Sequence, residues 1–238
     1  MKKIILLAIL SISIQVNAQW FNKTIKGNGN VITKTIKTDD YESVIVSGFF
    51  DVFLVAGTEG NISIKAEDNL MKHIIVESNN GRLKIKLEKN INLKTKKGIY
   101  ITVPFADLEE VILNGSGDII SKNTIKTDDF TTKLSGSGDI NLDIDADKVT
   151  SKISGSGDIT ITGNSAELNT SITGSGDFVS KALKTNNVKV IVTGSGDATV
   201  YADAKIDAKV IGSGDIVFYG NPAYETTKII GSGDITAR

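Results

Sequence analysis

Cysteine is missing from all 238 residues. Disulfides, thiolate metal sites, a cysteine nucleophile and a lipid-modified N-terminal cysteine go with it, so stability rests on packing and backbone hydrogen bonds. Histidine occurs once, as His73 in "NLMKHIIVE", which leaves no catalytic triad and no histidine metal cluster to build. Arginine occurs only as Arg82 and Arg238, too few for a clustered clamp on acidic sugar or phosphate. Proline is limited to Pro104 and Pro222, and helix start signals are scarce. With 27 basic and 28 acidic side chains, the chain has no large basic field to steer it to nucleic acid or anionic lipid. Beyond its first eighteen residues, no apolar run approaches the ~20 residues that a membrane-spanning helix needs.

Residues 1–18 read as a secretory signal: Lys2 and Lys3, the apolar run Ile4–Ile14, and a small-residue end at Val16-Asn17-Ala18. The expected product is exported, to the periplasm, the cell surface or the medium. Residues 19–39 form an N-terminal lead-in, and residues 40–236 form one domain. The 23 glycines and the wealth of Ile, Val and Thr place that domain in the all-β class.

The sequence Gly-Ser-Gly-Asp stands at 115–118, 136–139, 155–158, 174–177, 194–197, 212–215 and 231–234, a period of 18 to 21 residues. Two residues before each motif stand Leu113, Leu134, Ile153, Ile172, Val192, Val210 and Ile229. Six before it, the five middle copies have Phe130, Val149, Leu168, Val188 and Ile206. After the Asp come Ile119, Ile140, Ile159, Phe178, Ala198, Ile216 and Ile235, then Leu142, Ile161, Val200 and Phe218 two places on. Alternation of period two on both sides of the motif predicts strand, corner, strand in each repeat. One such unit cannot close a core, but stacked units bury a continuous one. The expected fold is therefore a right-handed parallel β-helix, or β-solenoid, with about 19-residue coils. A soluble antiparallel sandwich, each motif closing a hairpin, is the alternative; the fidelity of the columns favours like stacking on like.

A worn copy lies upstream, because "TIKTDDYESVIVSGFFDVFL" (35–54) parallels "TIKTDDFTTKLSGSGDINL" (124–142). Between 55 and 110, "NISIKA", "IIVES", "RLKIKLE" and "IYITVP" read as strands and "EDNLMKH" as a helical turn. This stretch is expected to be a set of irregular coils capping the solenoid's N-terminal end.

The motif itself admits two readings. As a corner, its glycines free the backbone for a sharp turn, and its Ser and Asp satisfy donors left by the bend. As a metal site, Asp118, Asp139, Asp158, Asp177, Asp197, Asp215 and Asp234 form a calcium ladder, although a hard cation wants six to eight oxygens and one Asp per coil supplies few. Carboxylates about 4.8 Å apart repel by ~0.9 kcal/mol in water and ~3.5 kcal/mol at an effective dielectric of 20, so the column is expected to be exposed. Lys133, Lys152, Lys209 and Lys228 lie on the outward parity nearby. The corner is the favoured reading; no catalytic and no cofactor-binding residue is assigned. Tyr201, Tyr219 and Tyr224, near late variable corners, form a candidate carbohydrate-stacking patch, while Trp20 and Phe21 follow the expected cleavage point.

Taken together, the signal segment, "SGFFDVFLVAG", "AEDNLMKHIIVE", "GRLKIKL", the serial "SGSGDI" and the closing "YGNPAYETTKIIGSGDITAR" resemble the auto-transporter adhesin head GIN domain family of exported proteins, common in Bacteroidetes-type bacteria. The resemblance covers about residues 40–236. It implies a β-helical, pectin-lyase-like fold, no recognised catalytic residues and a role in adhesion; the lack of a lipobox cysteine means that no lipid anchor is carried over. The expected function is non-enzymatic binding, adhesion or scaffolding, toward a surface glycan or protein. A carbohydrate-active enzyme of β-helix type and a calcium-stabilised repeat protein are the rivals.

Overall fold

A computed structural model describes residues 23–238. The signal segment, Trp20 and Phe21 lie outside the described residues. Alternation of apolar and polar side chains yields strands almost throughout. The first part contains β1 (Lys23–Lys26), β2 (Val31–Lys37), β3 (Ser43–Gly48), β4 (Asp51–Ala56), β5 (Asn61–Glu67), α1 (Asp68–Met71), β6 (Ile74–Asn79), β7 (Arg82–Leu87), β8 (Ile91–Lys94) and β9 (Tyr100–Phe105). The repeats follow as β10 (Glu110–Gly115), β11 (Asp118–Ser121), β12 (Ile125–Gly136), β13 (Asp139–Gly155), β14 (Ile159–Gly174), β15 (Phe178–Val179), β16 (Leu183–Gly194), β17 (Ala198–Tyr201), β18 (Lys205–Gly212), β19 (Ile216–Tyr219), β20 (Tyr224–Gly231) and β21 (Ile235–Ala237).

Every pairing within the repeats is parallel, which makes them a β-solenoid and sets the sandwich aside. Gly48, Gly115, Gly136, Gly155, Gly174, Gly194, Gly212 and Gly231 fall in one register column. One ladder runs before this corner, from β3 through β10 and β12 to β20. The other runs after it, from β4 through β11 and β13 to β21. In the middle coils the connecting segment is paired too, through Ile125, Ile144, Gly163 and Leu183.

The inward columns are those the sequence predicts. Leu113, Leu134, Ile153, Ile172, Val192 and Val210 are buried, as are Phe130, Val149, Leu168, Val188 and Ile206, and, past the corner, Ile119 through Ile216. Each such side chain contributes about 1.5–3 kcal/mol on burial, and the coils above and below supply much of that burial. The columns end at Ile229, which is 44 % exposed.

Chain order and spatial order part company before residue 110. The sequence leads to irregular coils that cap this end, and it leaves their order of stacking open. The worn copy stacks directly on the first full repeat, Gly48 against Gly115 and Val52 against Ile119. The intervening segment crosses to the outer side: β7 pairs with β3 and β9 with β4, both parallel. Antiparallel pairing then closes the end, β6 on β7, β5 on β9 and β2 on β5, with β1 and β8 forming a separate pair. Lead-in residues 23–37 thus contribute strands to the cap. Reversal of direction is what ends the ladder, since a strand of opposite sense offers no template for another parallel coil.

Glu67 anchors this cap. Its carboxylate is fully buried and accepts the N–H of Gly29 at 2.7 Å, the N–H of Lys96 at 3.0 Å and the Thr95 hydroxyl at 2.7 Å. Burial works to raise its pKa, but the Lys96 N–H, the Thr95 hydroxyl and the Gly29 N–H outweigh it and hold the carboxyl below the usual range. A depressed folded-state pKa stabilises fully above the unfolded value and is lost as pH falls through the folded one. Acid is therefore expected to loosen the lead-in and cap before the repeats. Hydrogen exchange at Gly29 and Lys96 should accelerate below the ordinary carboxylate range, and Glu67→Gln should remove most of that pH dependence.

Candidate functional site

The corner explains its own sequence. In the representative copy, Gly136 has φ +134°, and a Cβ on it would stand 2.1 Å from the Gly115 carbonyl oxygen. On Gly138 a Cβ would stand 1.9 Å from the Gly117 oxygen. The N–H groups of Ser137 and Gly138 both donate to the Gly115 carbonyl, at 2.9 and 3.2 Å. Glycine at both positions is thus demanded by the coil beneath. The exception fits the rule: where the worn copy has Phe50 in place of the second glycine, no repeat corner lies beneath, and the ring enters the core instead.

Asp serves the same stack. Its backbone N–H donates to Oδ1 of the Asp one coil earlier, from Asp139 on Asp118 at 3.2 Å through Asp177 on Asp158 at 2.8 Å to Asp234 on Asp215 at 2.8 Å. The column is exposed or half-exposed, which screens its mutual repulsion. At its first member the cost shows: burial and the facing Asp118 charge push the Asp51 carboxyl up. Asp234 has no described coil above it and turns back on its own strand, accepting the Ile235 N–H and the Thr236 hydroxyl. The Ser side chains are exposed, and the corner bonds come from their N–H groups. Among the described residues, no group of three or more His, Asp or Glu side chains converges to hold a metal ion.

Beside the cap, one carboxylate is engaged by backbone. An open groove of about 780 Å³ beside the cap is lined by Asp40, Glu42, Glu59, Asp107 and Tyr41. Glu59 accepts the N–H groups of Tyr41 and Ala106 at 2.7 and 3.0 Å. The Tyr41 hydroxyl donates to the Pro104 carbonyl, and burial, with the charges of Glu59 and Asp40, drives its pKa far up. His73 sits against Glu88, Nδ1 to Oε2, at 2.6 Å.

The tyrosines divide. Tyr201 and Tyr219 occupy one outward column on the post-corner ladder, in register on neighbouring coils. Tyr224 starts β20 on the other ladder, beside Lys205, and is no part of that pair. Two lysines join the pair: Lys184 Nζ lies 3.8 Å from the Tyr201 ring centre and Lys181 Nζ 5.9 Å from that of Tyr219. The Tyr201 hydroxyl donates to Asp203 Oδ1 at 2.8 Å, and that bond, with burial and the Asp203 charge, raises its pKa. Next to the tyrosines on the same face runs the row Asn141, Thr160, Val179, Thr199 and Val217. The sequence singles out the two rings but not the lysines, Lys181 in the connection after β15 and Lys184 at the start of β16.

A parallel β-solenoid is the fold that the family resemblance implies. The family model "Putative auto-transporter adhesin, head GIN domain" matches residues 40–222. The chain belongs to that family. Solved structures agree on the fold. A "putative adhesin" from Bacteroides fragilis superposes with a TM-score of 0.85 at 23 % identity, covering 90 % of this chain and all of the other. A "putative lipid binding protein" from Parabacteroides distasonis gives 0.76 at 25 % identity, over 91 % of this chain and 100 % of the other. A further "putative adhesin", from Parabacteroides merdae, gives 0.72 at 23 % identity, over 91 % and 99 %. No curated protein matches the chain. In this GIN-domain chain no described helix is long and apolar enough to cross a membrane.

Proposed function

We propose that this protein is a non-enzymatic, exported adhesion module that binds surface glycan through the outer face of its post-corner ladder. The observation that carries the reading is the Tyr201–Tyr219 column with Lys184 and Lys181 beside it. Tyrosine rings offer flat apolar area to sugar C–H faces, while ammonium groups bond hydroxyl or carboxylate oxygens. The neighbouring Thr and Asn row adds donors and acceptors at the strand spacing of about 4.8 Å. A non-enzymatic role is supported by the way Glu59 and the lone histidine are committed to structural bonds.

Glycan-array and whole-cell binding of the exported chain test this directly. Tyr219→Ala combined with Tyr201→Ala is expected to weaken binding at least about tenfold, with the melting curve little changed because both rings are outward-facing. Binding should also weaken with salt, since the lysines are exposed. Wild-type protein that binds no glycan above background, or a double variant that binds as well as wild type, would sink the reading.

A further inference from the structure

The two ends of the solenoid differ. Over the first coil lie the parallel strands β7 and β9 and, beyond them, antiparallel strands, whereas β20 is paired on one side only, to β18, among the described residues. All of β20 is exposed, including Tyr224 at 72 %, Ile229 at 44 % and Ile230 at 48 %. An eight-residue edge of this kind, with apolar residues on both faces, is a template for a further strand. At the capped end β2 and β6 are each paired on one side only, in antiparallel pairs, among the described residues. The β20 edge can also match itself, the same edge of a second copy approaching across a two-fold axis.

A two-fold axis makes the two β20 strands antiparallel, and opposed residues in an antiparallel pair share a face. Glu225, Thr227 and Ile229 continue the inward columns. For inward residues to meet inward residues, the axis must pass through a residue rather than between two. An axis at Lys228 sets two ammonium groups opposite each other, which is repulsive. At Thr226 it leaves Ile229 and Ile230 beyond the strand overlap. At Thr227 it spans Tyr224–Ile230 in full: Tyr224 opposes Ile230 of the second copy on the outer face, an aromatic–β-branched pair, and Thr226 opposes Lys228. Thr227 opposes itself, and Ile229 opposes Glu225, whose carboxylate has the Thr227 hydroxyl of the other copy as its diagonal neighbour.

We propose that two copies of this chain join through their β20 edges, antiparallel, with Thr227 on the two-fold axis. The overlap is smaller than a standard interface of about 800 Å² per partner, so dissociation is expected in the range of about 10–100 μM. Glu225 is the unfavourable member, facing an apolar side chain where each middle repeat has an aliphatic or aromatic residue.

Sedimentation velocity across a concentration series should show a monomer–dimer equilibrium. Thr227→Lys, which sets two charges face to face, should abolish the dimer, and Glu225→Leu should tighten it at least about tenfold. Because the chain has no cysteine, Thr227→Cys reports the register: opposed antiparallel residues lie within disulfide reach. Under mild oxidation it should crosslink to dimers, whereas Ser171→Cys, outward on the same ladder in a middle coil, should not. A wild-type chain that stays monomeric to several hundred micromolar overturns the proposal. So does equal crosslinking of the two cysteine variants, or a dimer indifferent to Thr227→Lys.

Discussion

Gly138→Ala should destabilise the protein by at least about 3 kcal/mol, although it adds one methyl group and alanine is otherwise tolerated in strands. The reason lies one coil below. The added Cβ would sit 1.9 Å from the Gly117 carbonyl oxygen and 3.0 Å from both the carbon and the nitrogen of Gly117. All three are backbone atoms, so no rotamer change relieves the clash, and the coils must separate. Separation would stretch the bonds from Ser137 and Gly138 to Gly115 and from Asp139 to Asp118. Ser137→Ala, one residue away with an exposed side chain, should change stability by less than about 0.5 kcal/mol. Urea denaturation of both variants checks the contrast. If the two unfold at the same midpoint, close coil stacking is not what selects glycine here.

Phe178→Ala should cost about 3–5 kcal/mol. Phe178 is fully buried on the two-residue strand β15, between Ile159 and Ala198 in its column. Ala198 is the small partner that makes room for the ring, so truncation leaves two small residues stacked and a cavity that neighbouring coils cannot fill. Ile229→Ala, in the inward column before the corner of the last coil, should cost less than about 1 kcal/mol, because that side chain is already 44 % exposed. The same gradient predicts that amide protection falls toward β20 and β21, as in any stack whose stability is summed over neighbouring interfaces. Urea melts of the two variants and native-state hydrogen exchange measure both. Comparable costs at Phe178 and Ile229 would count against a stack with one weak end.

Much of this was legible because a repeat states the same physics many times. One alternating window is ambiguous, but seven in the same phase fix which residues face inward, from Leu134 to Val210 and from Ile119 to Ile216. The helical turn at 68–71 and the strands of the irregular stretch were also readable from local pattern. What local pattern does not carry is adjacency across a long insertion. The likeness of residues 35–54 to 124–142 shows that the first is a coil; it does not show that Gly48 lies directly on Gly115 with the segment between them folded outside. Nor does it pair Lys184 with Tyr201, because those residues come from different coils joined by a connection of variable length.

The sequence alone therefore determined the fold class, the period, the inward columns and the position of every Gly-Ser-Gly-Asp corner, since these follow from periodicity and from the conformational range of glycine. Tertiary structure decided what the corner residues are for. Glycine proves to be required by the carbonyl of the coil beneath as much as by its own dihedral angles, and aspartate proves to be an acceptor for the N–H of the next coil. Both are contacts between residues about 19 positions apart, which exist only once the coils are stacked. Tertiary structure also decided how the N-terminal end is closed, because strand direction, unlike strand propensity, is set by where the chain returns rather than by which residues it contains.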